Sequence, residues 1–170
     1  MSTITLSRAR VARTISGNSP QVMTFPEAAA QTFKKGEFVY LVDGKVTEVG
    51  DDPTIILGMA DQDASGTTDT AIAVVIANED NIFSLHKVSE TGGSGGAGTG
   101  AATAVTDAGK RAAIYRDTLN NMTHVGLDAT GTNERLTILN ISGFDTVGDI
   151  GGRLLCMVYG KYRQLFSTLN

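Results

Sequence analysis

The chain has 170 residues, 41% apolar, with one Cys, two His, no Trp and a net charge of −4. That length supports a single domain with a core of its own. The charge is uneven: residues 1–36 hold Arg8, Arg10, Arg13, Lys34 and Lys35 against Glu27, or +4, which leaves −8 for a body that is a poor binder of polyanions.

Residues 1–24 are polar, rich in Ser, Thr and Arg, and offer little to bury, so they read as an extended arm. "MSTITLSRARVART" lacks the apolar run of a signal peptide, and no stretch approaches the ~20 apolar residues of a membrane-spanning helix. The Asn-x-Ser/Thr matches at Asn121 and Asn140 therefore have no secretory context. "FPEAAAQ" allows one helical turn with Pro26 near its start. "GEFVYLVDGKVTEV" is the first strong signal. Phe38, Tyr40 and Val42 share one strand face, Val39 and Leu41 the other, and Asp43-Gly44 marks a two-residue hairpin.

"TIILGMA" and "TAIAVVIA" are short β-branched runs, separated by the Asp-, Gly- and Thr-rich residues 61–70. "NIFSLHKV" alternates Ile82, Ser84 and His86 against Phe83, Leu85 and Lys87. Residues 92–104, "GGSGGAGTGAATA", contain nothing larger than Thr. Residues 107–117 fit either a short helix broken at Gly109 or a strand from Ala112. "RLTILNI" and "RLLCMVYGKYRQLF" read as strands around the loop "SGFDTVGDIGG". Seven to nine strands without alternating long helices predict an all-β barrel or sandwich. Phe38 or Tyr40, Leu57, Val75, Phe83, Ile138 and Leu155 are expected to face one interior.

Little in the sequence points to catalysis. Gly93, Gly95 and Gly98 spell G-x-G-x-x-G, but no long helix follows to meet a pyrophosphate. "AVTDAGKR" lacks the first Gly and the Ser/Thr of a P-loop. Asp51-Asp52 and Asp61/Asp63 are the closest carboxylate pairs, and they read as solvated turn residues. His86 is expected in a strand with a satisfied ring, His124 at a surface or interface, and Cys156 as a small buried hydrophobe. Neither His has Cys or Glu at zinc spacing, so no metal, cofactor or catalytic residue is expected.

"FKKGEFVYLVDGKV", "ILGMADQDASG", "VVIANEDNIFSL" and "SGFDTVGDIGGRLLCMV" resemble, in order, segments of the head-decoration (capsid cement) proteins of tailed bacteriophages. The resemblance spans roughly residues 30–166 and rests on turn and core positions such as Gly36, Tyr40, Gly44, Gly58, Asp63, Phe83, Asp145 and Gly152. It implies a small β-barrel of β-tulip type, 31–170 with a Gly-rich loop at 91–106, behind an extended arm at 1–30. It further implies a non-enzymatic virion protein on the outer capsid surface. Its partners would be the major capsid protein and itself, as a homotrimer or a dimer, with no nucleic acid and no membrane. Arg8, Arg10 and Arg13 are the candidate capsid contacts. Gly95, Gly96 and Gly98 are candidates for a subunit or capsid boundary, where absent side chains let backbones approach. A head fibre base, a tail tube component or a small-molecule-binding barrel are the alternatives.

Overall fold

A strand that is apolar at every position must be covered on both sides. The structure, a computed structural model, describes residues 1–50, 53–126 and 133–165. Its strands are β1 (Arg10–Thr14), β2 (Val22–Pro26), β3 (Phe38–Val42), β4 (Lys45–Glu48), β5 (Gly58–Ala60), β6 (Ala71–Ile76), β7 (Asn81–His86), β8 (Gly93–Gly95), β9 (Arg111–Asp117), β10 (Met122–Gly126), β11 (Leu136–Ile141) and β12 (Arg153–Val158). They form two largely antiparallel sheets. One runs β2-β6-β5-β3-β4. The other runs β1-β7-β12-β11-β9-β10, with β8 beside β9. The all-β expectation holds.

The β3–β4 hairpin turns at Asp43 and Gly44, both at positive φ, as a two-residue Asp-Gly turn requires. Phe38 of β3 enters the main core and Val39 enters a second one. The main core lies between the sheets. It joins Phe38, Met59 and Val75 to Phe83, Leu85, Ile114, Leu136, Ile138, Leu154 and Cys156. The Phe38 and Phe83 rings meet edge to face at 5.4 Å. The second core lies on the other side of the smaller sheet. There Phe33, with Phe25 beside it, packs on Val39, Val46, Leu57, Ile72, Val74 and Ile76.

The expected single interior therefore needs correction. Phe38, Val75, Phe83 and Ile138 do share a core, and Tyr40 is partly buried against it. Leu57 belongs to the second core. Leu155 points away from both, because Leu154 and Cys156 take the inward positions of β12.

The N-terminal segment is extended but not free of the body. β1 pairs with β7, β2 pairs with β6, and Thr3 bridges Ile150. Ser2 donates from its backbone N–H and its hydroxyl to Asp149 Oδ1, each at 2.9 Å. Ala9 is part of the main core. The helical turn at "FPEAAAQ" is absent, since Phe25 and Pro26 close β2. Glu27 is fully buried, and its carboxylate accepts from Ser65 N–H (3.0 Å), Ser65 Oγ–H (2.7 Å) and Gly66 N–H (2.7 Å), fixing the 65–67 turn. Of the two readings of 107–117 the strand wins: a short 3-10 turn at Val105–Asp107 leads into β9.

Candidate binding surface

In a regular strand, residues three apart face opposite ways. Arg10 and Arg13 do not, because β1 carries a bulge. Arg10 pairs with Ser84 and Arg13 with Ile82, two residues apart on β7, with the register shift between Val11 and Arg13. One extra residue re-aims the strand and sets both guanidinium groups on one face. Both arginines are exposed, and neither makes a side-chain hydrogen bond or ion pair among the described residues.

Beside them runs a groove of about 450 Å³, walled by β1 and by Ser142–Phe144 after β11. Leu155 and Ser84 line it. Ser84 is 4% exposed, and its buried hydroxyl has no hydrogen-bond partner among the described residues. The Phe144 ring is 83% exposed. Next to it, Arg153 is committed to Asp145 at 2.7 and 2.9 Å. Those Arg153 hydrogen bonds hold the Asp145 carboxyl below the usual carboxylate range.

Arg8, the third predicted contact, differs from the other two. Its guanidinium lies 3.7 Å from Asp63, which also faces Lys34 at 3.5 Å. Asp63 accepts the Lys35 N–H, and that bond, with the two cations, lowers its pKa despite some desolvation. Asp61 pairs with Lys35 at 2.8 Å. Both aspartates are solvated turn residues, as read from the sequence. Asp51 and Asp52 lie outside the described residues.

The glycine tract is held by its own chain. β8 lies parallel to β9, from Gly93 beside Tyr115 to Gly95 beside Asp117. Tyr115 Oη–H donates to Gly96 O (2.8 Å), Gly98 N–H to Asp117 Oδ2 (3.1 Å), and the Thr118 hydroxyl to Gly95 O. A Cβ on Gly98 would lie 3.0 Å from Val88 Cγ1 and 3.1 Å from His124 Cδ2. One on Gly96 would meet nothing within 4 Å. The chain itself thus supplies hydrogen-bond partners along this tract. Gly96 is the exposed member of the three boundary candidates.

The remaining ionisable groups are interior. His86 is satisfied as expected. Nδ1–H donates to Gly151 O at 2.6 Å, which leaves Nε2 to accept the Ser7 hydroxyl at 2.8 Å. His124 is not at the surface: it is fully buried, and neither ring nitrogen has a hydrogen-bond partner among the described residues. Asp117 Oδ2 stands 3.8 Å from its Nε2, too far for a hydrogen bond. Burial drives the His124 pKa down to about 4. Lys87 Nζ is buried against both Asp107 oxygens (2.9 and 2.8 Å) and also donates to Ala102 O (2.8 Å). Cys156 is fully buried, and desolvation pushes its thiol up, as fits a core residue rather than a nucleophile.

The sequence reading missed Phe144, Ser84 and the Lys87–Asp107 pair. Phe144 alone left a signal: an aromatic in a Gly- and Asp-rich loop with no strand to bury it. Among the described residues no three His, Cys, Asp or Glu side chains gather as metal ligands, and no helix is long and apolar enough to cross a membrane. No family model matches the chain, and no curated protein matches it in sequence.

Proposed function

We propose that the protein is a structural component of a phage virion. It attaches to the outer surface of an icosahedral capsid and stabilises the shell by binding alone, with the major capsid protein as partner and a homotrimer as the working unit. The resemblance to head-decoration proteins, with its β-tulip barrel, motivates the reading. The observation that carries it is the character of the N-terminal segment: a cationic run with exposed apolar side chains on an acidic body. Arg10 and Arg13 stand unpaired there, and Ile15, Val22 and Met23 are 62%, 48% and 38% exposed. Exposed apolar groups and unpaired cations on one segment suit contact with an acidic protein partner.

The test is to titrate purified protein onto undecorated shells and measure occupancy by cryo-EM difference density. Saturable density on the outer surface, and shells that survive heating better when decorated, are the expected results. Rings or tubes formed without shells would favour a tail component and sink the reading.

A further inference from the structure

The groove beside β1 combines three features that suit a ligand. Two guanidinium groups are brought to one face by a bulge and left without carboxylate partners. A hydroxyl, Ser84 Oγ, is buried beside the groove without a hydrogen-bond partner among the described residues. An aromatic ring, Phe144, stands 83% exposed beside Leu155, the apolar side chain on the groove floor. Arg10, Ser84 and Leu155 stand side by side on β1, β7 and β12, so the groove crosses the face of the sheet and is long enough for an extended segment.

We propose that this groove is a binding site for an extended acidic segment of a partner protein. The partner's carboxylates are taken by Arg10 and Arg13, and an apolar side chain lies over Leu155 against Phe144. Guanidinium groups match carboxylates in geometry as well as charge. An exposed ring beside an apolar lining favours a peptide with alternating acidic and apolar residues over a bare anion. Nucleic acid is a poorer match, because two free arginines on a body of −8 give no track for a phosphate backbone. The inference rests on the capsid-binding reading only for who the partner is; the site's chemistry is independent of it.

The experiment measures fluorescence anisotropy of a labelled peptide of alternating Glu and Leu. The same peptide with Lys for Glu, and a labelled oligothymidylate, are the comparisons. The full-length protein should bind the acidic peptide saturably, more weakly as salt rises, and should leave the lysine peptide unbound. Arg10→Ala with Arg13→Ala should weaken binding at least about tenfold, and Phe144→Ala severalfold. All three side chains are exposed, so circular dichroism should show unchanged melting. No binding of the acidic peptide, equal binding by the double variant, or equal affinity for the oligonucleotide would overturn the proposal. Shell titration separates it from the capsid reading. A double variant that loses the peptide but keeps the shells supports the groove and moves the capsid contact elsewhere. Wild-type protein that binds the peptide but no shells supports the groove and ends the capsid reading.

Discussion

His124 is a neutral imidazole held where a cation has no solvation. Its folded pKa of about 4 lies below the ordinary 6.5, so between those values the unfolded chain binds a proton that the native protein refuses. Stability is therefore complete above pH 6.5 and falls as pH drops toward 4. The shift is worth roughly 3 kcal/mol at most. His86 is also lowered, by burial above all, and adds to the same slope. The carboxylates with lowered pKa, such as Asp63 and Asp117, act only below their ordinary range near 3.8. The urea midpoint should thus fall between pH 7 and pH 4.5, and His124→Leu should remove most of that fall. Parallel curves for wild type and variant would show that the proton goes elsewhere. Nothing in the sequence placed this ring inside, because "NMTHVGL" has neither the length nor the alternation of a clear strand. Its sheet neighbour, β9, is close in sequence, but the groups packed near the ring, His86 and Gly98, come from well before it in the chain.

At the scale of elements, the glycine tract behaves as a small strand with a wall of side chains behind it. Gly98 is the point of closest approach. Valine there must displace Val88 and His124, and overpacking of that kind costs about 1–3 kcal/mol. Gly98→Val should lower the melting temperature of the isolated protein by several degrees, while Gly96→Ala should leave it nearly unchanged. Equal melting for the two would mean that the tract does not lie against β9 and β10. The sequence showed the tract's composition but not its partner, since a strand without side chains has no hydrophobic pattern. β12 posed the opposite difficulty. "LLCMV" is apolar throughout, so alternation could not say whether Leu154 or Leu155 faces in. β1 was hidden for a third reason: the bulge at Ala12 breaks the period of two that a strand is read by. By contrast the β3–β4 hairpin was legible to the residue, because Asp-Gly specifies its turn locally.

Across the whole molecule, the first 26 residues supply the end strands of both sheets, β1 on one and β2 on the other. The sequence presented this region as an extended arm because it is polar. The structure uses its backbone instead, along with Ala9 and Phe25 at the two cores. Deleting 1–26 should therefore strip the edges of β6 and β7, expose core, and lower the melting temperature by ten degrees or more, on the order of several kcal/mol for a protein of this size. Unchanged melting of the truncated protein would mean that the segment is an appendage after all. Of the binding surface, the sequence yielded the arginines but not the groove. A groove is made by β1, β7, β12 and the loop after β11 coming together, and none of these is near another along the chain except the last two.

The stitch from Ser2 to Asp149 joins residues 147 positions apart. On a ribosome, where synthesis runs at about 5–20 residues per second, the partner of Ser2 emerges many seconds after Ser2 itself. β1 and β2 can pair as soon as β7 and β6 are out, whereas the Ser2 stitch must wait for Asp149. That seam can close only after β1 to β11 have been made.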